Sequence, residues 1–287
     1  MKLPPLSYLR PDTLEAALEA LAGEEARAIA GGQSLMPMLA FRLAAPERLV
    51  DISRLAELRG VTVGKGGVRI GAGTRWAELM RDAALAGAQP LLAAALPHVA
   101  HGAIRNRGTV GGSLAHADPA AELPAVALAL DGVVEIASAA GRRELPVADL
   151  FEGPLLTTLA PGELIVALRL PAWGPGRRFG FDEVAMRKGD FAFAGVALHY
   201  AVAGGRIAGA RIAALGVGDT PVRLAAAEAA LEGARPGPEA WAAAEEAAGE
   251  VDPPGDLHAG GRYRRALVRM LVRRLLETTE TTETADG

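Results

Sequence analysis

Two pairs of adjacent glycines, in AGGQSL (30–35) and GTVGGS (108–113), constrain this chain more than any other feature. Adjacent glycines enter backbone conformations that other residues resist, and they leave no side chain between backbone N–H groups and a bound oxygen. Serine follows each pair, at Ser34 after Gln33 and directly at Ser113, and adds hydroxyls suited to an anion. Two such turns facing one another can grip a diphosphate without any lysine. Either turn alone is a weak signal, because paired glycines also occur in plain turns.

The competing glycine motifs are incomplete. GAGTRW (71–76) sits where a dinucleotide fold would place GxGxxG, but Trp76 replaces the third glycine and its bulk blocks close helix–strand packing. It reads instead as a strand-to-helix turn capped by Thr74. GVTVGK (60–65) is one residue short of GxxxxGK, and Gly66 stands where a P-loop needs Ser or Thr.

The rest of the chain organises around these turns. Asp12 and Glu15 fit a capping box ahead of a helix whose apolar stripe is Leu14, Leu18 and Leu21. ARAIA (26–30) and ERLVDIS (47–53) read as short strands of a small α/β unit. From about Gly60 come short strands separated by glycines, with helical stretches from Trp76 to Ala86 and around residues 90–100. LPAWGPGRR (170–178) reads as a linker. FAGVALHYAV (193–202) and GGRIAGARIAALG (204–216) follow as paired strands, and then a helical C-terminus. In GRYRRALVRMLVRRLL (261–276), Tyr263, Leu267, Met270, Leu271 and Leu275 mark one side of a helix, with Arg262, Arg265, Arg269 and Arg273 on another.

Composition excludes several chemistries. With 287 residues the chain can bury roughly 70–75% of its unfolded surface. Cysteine is absent, which removes disulfides, zinc thiolate sites and cysteine-ligated iron–sulfur clusters. A formal net charge of -4 gives no general reason to bind nucleic acid. No GxSxG nucleophile elbow is present. PHVAH spaces His98 and His101 three apart and His116 lies near Asp118, but neither spacing matches a compact zinc pattern, so local hydrogen bonding is the expectation and no metal. With no cleavable apolar leader and no long apolar run, the cytoplasm is the expected location, the inner membrane face being the alternative.

The most polar stretch, AIRNRGTVGGSLAHADPAAELPA (103–125), surrounds the second glycine pair. Arg105, Asn106 and Arg107 precede it, and arginine can offset phosphate charge. Asp118 follows it and can accept hydrogen bonds from ribityl or ribose hydroxyls, or cap a helix that starts after Pro119.

In their order, AGGQSL, LVDIS, IRNRGTVGGSLAHADPAAELPA, PGELI (161–165) and RKGDFA (187–192) resemble the FAD-binding medium subunit of molybdenum hydroxylases, nearest the carbon monoxide dehydrogenase and xanthine dehydrogenase flavoproteins, over about residues 3 to 276. The resemblance implies an α+β fold: a vanillyl-alcohol-oxidase-type FAD-binding domain, made of a small α/β subdomain (1–57) and an antiparallel-sheet subdomain (58–172). A C-terminal domain of antiparallel sheet and helices (178–276) and a flexible tail (277–287) follow.

Site roles implied by the resemblance fall on particular residues. Ala30, Gly31, Gly32, Gln33, Ser34 and Leu35 match the first pyrophosphate loop, with Gln33 where the carbon monoxide enzymes tend to have histidine. Thr109, Gly111, Gly112 and Ser113 match the second loop, and Asp118 an acid near the ribityl and phosphate chain. Glu122 stands where aspartate is common, and Leu164 and Ile165 fall in the segment that lines the isoalloxazine. Lys188 and Asp190 match a loop from the C-terminal domain, and Phe191 takes the place of a tyrosine beside the ring. No catalytic side chain is implied, since the flavin performs the redox chemistry. The implied partners are a molybdenum-cofactor large subunit and a small subunit with 2Fe–2S clusters, assembled as a dimer of heterotrimers. A free-standing FAD oxidase or dehydrogenase, and a non-catalytic flavin-binding assembly module, are the alternatives.

Overall fold

The computed structural model describes residues 3–23 and 25–281. Its N-terminal unit runs β1 (Ser7–Leu9), α1 (Leu14–Leu21), β2 (Ala26–Ile29), α2 (Leu35–Ala40) and β3 (Arg48–Asp51). The three strands pair in parallel in the order β1-β3-β2, so β2 must cross over through α2 to reach β3. That crossover puts residues 30–34 at the carboxyl end of β2, the edge where open α/β sheets receive ligands. Leu14, Leu18 and Leu21 pack with Val50, Ile52 and Leu55. The helix cap is Thr13, not Asp12: Thr13 is extended (φ -128°, ψ 157°), and its hydroxyl accepts the Ala16 N–H at 3.2 Å.

The second unit opens with β4 (Val61–Gly64) and β5 (Gly67–Gly71), followed by α3 (Trp76–Leu79), α4 (Ala83–Ala88), α5 (Pro90–Ala95), α6 (Gly102–Arg105), α7 (Val110–His116) and α8 (Glu122–Ala129). The stretch expected as one helix from Trp76 to Ala86 is two, because the Asp82 carboxylate accepts the Leu85 N–H at 2.9 Å and starts α4 afresh. Thr74 does not cap α3; its hydroxyl pins Gly60 through both N–H (3.0 Å) and C=O (3.2 Å), and Arg75 takes the cap position. After α8 come β6 (Val133–Ser138), β7 (Gly141–Pro146), the short pair β8 (Phe151–Gly153) and β9 (Leu156–Thr157), and β10 (Leu164–Pro171). The main sheet is antiparallel throughout, in the order β4-β5-β10-β6-β7.

Residues 172–177 lead into the third unit: β11 (Arg178–Ala185), β12 (Ala192–Ala203), β13 (Arg206–Leu215) and β14 (Val222–Arg223), one antiparallel sheet in chain order, then α9 (Ala225–Leu231), α10 (Pro238–Ala248) and α11 (Gly261–Thr281). On α11, Leu267, Leu271 and Leu275 are buried as the pattern predicts, whereas Tyr263 and Met270 are exposed and Arg264 is buried. Residues 277–281, expected in the flexible tail, continue α11, with Thr279 bonded to the Tyr200 hydroxyl at 2.9 Å and Glu280 to the Trp241 indole at 2.9 Å. Residues 282–287 lie outside the described residues. Among the described residues, no helix is long and apolar enough to cross a membrane.

The second and third units share one core. Leu123–Ala129 of α8 are all buried, an apolar helix on every side, and they pack with Phe181, Ala192, Ala197, Ala213 and Leu215 of the C-terminal sheet. Polar clamps hold the far end of α8. Arg223 donates to Leu128 O (3.2 Å) and to Asp131 (2.9 Å), Arg211 donates to Asp131 (3.0 Å), and the His199 ring meets Ala129 O at 3.0 Å.

His199 is buried, and its Nδ1 lies 3.1 Å from the Arg177 guanidinium. Arginine can only donate, so Nδ1 accepts and Nε2–H donates to Ala129 O. Burial, with the Arg177 charge adding to it, pushes the His199 pKa down to about 4 from 6.5. A histidine whose folded pKa is depressed contributes stability that is complete above the unfolded value and is lost as the pH falls toward the folded one. Between pH 7.5 and pH 5 the chain is expected to lose about 2 kcal/mol through this group. Urea unfolding at the two pH values tests this against His199→Gln, which should lack that component; an equal pH dependence in both proteins would refute it.

Candidate flavin site

The first glycine turn is open where an anion would sit. Among the described residues, the backbone N–H groups of Gly31, Gly32, Gln33 and Ser34 donate to no protein acceptor. Gly32 takes φ +70°, the left-handed conformation glycine adopts without strain. Gln33 closes the turn by donating its side-chain amide to Gly31 O at 3.1 Å. Ser34 begins α2 without a side-chain cap bond, and Leu35 is the first residue of that helix. A Cβ on Gly31 would lie 2.1 Å from Arg107 O and 3.0 Å from the Gly108 Cα. The first turn therefore rests against the backbone that enters the second.

The second glycine turn differs from its expected form. GTVGGS is not an open nest but the start of α7, capped by Thr109, whose hydroxyl accepts the Gly112 N–H at 3.2 Å. Most of its other donors are engaged too: Gly108 N–H with Ile104 O (2.7 Å), Val110 N–H with Thr74 O (3.1 Å), Gly111 N–H with Ala72 O (2.7 Å) and Ser113 N–H with Thr109 O (3.0 Å). Gly111 is needed for packing, since a Cβ there would meet the Ala72 Cβ at 2.5 Å. What this turn leaves toward a ligand is the exposed Cα of Gly112 and the half-buried Ser113 hydroxyl.

Some of the flanking polar residues are tied into the scaffold and others are exposed. Arg105 donates to Val99 O (3.0 Å) and Ala100 O (2.8 Å), so it shapes the turn at residues 99–105. Asn106 ends α6 and, with Arg107, is exposed. Asp118 does not cap α8; one carboxylate oxygen accepts the Ala120 N–H at 2.9 Å in an Asx turn, and α8 starts at Glu122. Burial, reinforced by the carboxylates of Glu183 and Asp118 and opposed by His98, pushes the Glu122 pKa up to about 7. Burial lowers that of His116, with the Arg27 charge adding to it.

The C-terminal sheet reaches residues 100–101 through one loop. Residues 186–191 form the β11–β12 loop, with Lys188 and Phe191 exposed. Asp190 lies 3.9 Å from the His101 ring, and a Cβ on Gly189, at φ +87°, would meet the His101 Nδ1 at 2.6 Å. Leu164 and Ile165 are buried in two different apolar cores, so this segment can face a ring only with its backbone. Residues 100–108 thus touch the first glycine turn at one end and the β11–β12 loop at the other. Sequence reasoning missed Glu183, which meets His98 at 3.4 Å across the domain boundary. Its sequence signal is slight, one of two adjacent acids, Asp182 and Glu183, in the strand RFGFDEVA.

Fold and loops define an FAD-binding domain of the vanillyl-alcohol-oxidase type followed by a flavoprotein C-terminal domain. Comparison with known proteins agrees. A family model for the FAD binding domain in molybdopterin dehydrogenase matches residues 4–173, and one for the CO dehydrogenase flavoprotein C-terminal domain matches residues 179–279. The 6-hydroxypseudooxynicotine dehydrogenase complex subunit alpha of Paenarthrobacter nicotinovorans is 41% identical over 96% of this chain and 95% of that one. Carbon monoxide dehydrogenase from Hydrogenophaga pseudoflava superposes with a TM-score of 0.94 at 36% identity, covering 98% of this chain and 99% of that one. Quinoline 2-oxidoreductase from Pseudomonas putida 86 superposes with a TM-score of 0.93 at 38% identity, over 98% and 99%. The chain belongs to the family of FAD-binding medium subunits of the molybdenum hydroxylases.

Proposed function

We propose that this chain takes electrons from a 2Fe–2S partner subunit and passes them through bound FAD to an external acceptor, within a complex whose large subunit carries the molybdenum cofactor. The observation that carries this reading is the run of four N–H groups at Gly31–Ser34 with no acceptor among the described residues, seated on the backbone that leads into the second glycine turn. Such a run is a nest for a pyrophosphate, and the residues present fit the cofactor.

Each residue then has a physical task. The Gly31–Ser34 N–H groups and the Ser34 and Ser113 hydroxyls donate to phosphate oxygens, with Ala30 and Leu35 setting the ends of the turn. Thr109, Gly111 and Gly112 hold α7 in place, and the bare Gly112 Cα lets the phosphates approach. Asp118 keeps one carboxylate oxygen for a ribityl hydroxyl while the other fixes its Asx turn. Glu122 faces the cleft from the start of α8. Lys188, Asp190 and Phe191 close over the ring from the C-terminal domain, and the backbone at Leu164 and Ile165 lines it. FAD supplies the reversible two-electron chemistry, and the protein supplies grip and access.

The absence of cysteine supports a separate electron donor, since this chain has no thiolate to hold a cluster. The names of its relatives, a complex subunit alpha and a carbon monoxide dehydrogenase medium chain, fit an assembly of several kinds of subunit. Titration of the cofactor-free chain with FAD is expected to show saturable, stoichiometric binding at micromolar concentration. A chain that binds none, from a native complex that carries none, ends the proposal. Purification from native extract is expected to bring cluster-bearing and molybdenum-bearing companions.

A further inference from the structure

The motif GAGTRW (71–76), which is no dinucleotide fingerprint, leaves one side chain without a task. Arg75 is partly buried, and among the described residues its guanidinium has no hydrogen-bond or ion-pair partner. Trp76 N–H donates to Gly108 O (3.2 Å) and Val110 N–H to Thr74 O (3.1 Å), so Arg75 and Thr109 stand opposite each other as a non-hydrogen-bonded antiparallel pair. Opposed residues of this kind carry their side chains on one face, with Cβ atoms roughly 4.5–5.5 Å apart. Thr109 fixes which face that is. Its hydroxyl accepts the Gly112 N–H at 3.2 Å, and a Cβ on Gly112 would lie 2.8 Å from the same oxygen. The Arg75 stem therefore rises beside the bare Gly112 Cα. One residue before Thr109, the Gly108 Cα lies 3.0 Å from where a Gly31 Cβ would be, so the first glycine turn meets the same short stretch of backbone.

We infer that Arg75 is the cation of the cofactor site, pairing with the diphosphate held by the Gly31–Ser34 nest. This rests on the FAD reading above. The diphosphate of FAD is doubly charged near neutrality, whereas the N–H groups of the nest and the hydroxyls of Ser34 and Ser113 are all neutral. An anion taken partly out of water needs a counter-charge as well as donors. The planar guanidinium presents N–H groups in a fixed fork and can engage two phosphate oxygens at once.

Other charged groups in this part of the molecule are engaged or placed elsewhere. Arg105 donates to Val99 O and Ala100 O. Arg107 is exposed, and it is its carbonyl oxygen that meets Gly31. Lys188 sits on the β11–β12 loop, which meets residues 100–101. Glu78, the acid nearest to Arg75 in sequence, accepts the Arg75 backbone N–H at 2.8 Å and lies 3.8 Å from Arg59, so it does not hold the Arg75 guanidinium.

The test is titration of the full chain with FAD, followed by flavin fluorescence at about 50 mM and about 500 mM sodium chloride. The natural chain is compared with Arg75→Gln, Arg75→Lys and Arg107→Gln. Arg75→Gln should weaken FAD binding by about tenfold to a hundredfold at the lower salt. Screening weakens a partly open ion pair, so the affinity of the natural chain should fall as salt rises, and that of Arg75→Gln should fall much less. Arg75→Lys keeps the charge without the fork, so it should keep the salt response while binding less tightly than the natural chain. Arg107→Gln should bind as the natural chain does. A purely structural role for Arg75 would lower the urea midpoint together with the affinity and leave the salt response unchanged. Equal affinity in Arg75→Gln and the natural chain, an undiminished salt response in Arg75→Gln, or a loss seen only in Arg107→Gln would overturn the assignment. Should Arg75→Gln fail to fold, the affinity of Arg75→Lys and the salt response of the natural chain decide the matter. A natural chain that takes up no FAD would instead overturn the functional reading, and the role of Arg75 with it.

Discussion

Gly31→Ala is expected to weaken FAD binding by about tenfold to a hundredfold. The added methyl would sit 2.1 Å from Arg107 O and 2.7 Å from its carbonyl carbon, and both are backbone atoms that no rotamer change can move aside. Overpacking of this kind costs roughly 1–3 kcal/mol, and here it separates the two glycine turns at the point where they meet. The four N–H groups of the first turn would then point away from one another. Fluorescence titration with FAD measures the loss, and Gly102→Ala is the control, since a methyl there meets nothing within 4 Å. Equal affinity in the two variants would show that the contact between the turns does not shape the binding site.

Arg264→Met is expected to destabilise the chain by about 3 kcal/mol, the cost of leaving buried acceptors without their charged donor. Arg264 is 7% exposed and donates to Phe193 O at 2.6 Å and to Gly216 O at 2.8 Å. Its contact with Asp256 lies at the surface and adds little. Methionine fills much of the same space but donates nothing, so both carbonyls would lose their partner. The effect reaches the site, because Phe193 follows the β11–β12 loop and Gly216 donates its N–H to Pro119 O at 2.8 Å, beside Asp118. Urea unfolding gives the stability change, and trypsin should cleave faster at Arg187 or Lys188. A midpoint shift worth less than about 0.5 kcal/mol, the scale of ordinary surface changes, would contradict this reading of Arg264.

The local elements were legible in the sequence where their signal is local. Apolar alternation and the Gly204–Gly205 turn identified the β12–β13 pair, and the Leu14, Leu18 and Leu21 spacing identified α1. The cap of that helix was misplaced by one residue because Asp12 and Thr13 are both good caps, and only the backbone angles choose between them. GTVGGS was legible as a special turn but not as a helix start, since its N–H partners, Ala72 and Thr74, lie more than thirty residues earlier. The contact of Gly31 with Arg107 and the pairing of His98 with Glu183 are likewise long-range, and no spacing rule encodes them.

The clamp on α8 bears on how this polypeptide can be divided. The two family matches meet between residues 173 and 179, which invites expression of each half separately. A cut there would strip α8 of the sheet that covers it and would leave Asp131, Leu128 O and Ala129 O without Arg211, Arg223 and His199. Either fragment would carry a raw apolar face and stranded polar groups into solvent, so neither half is expected to stay folded and soluble when made alone.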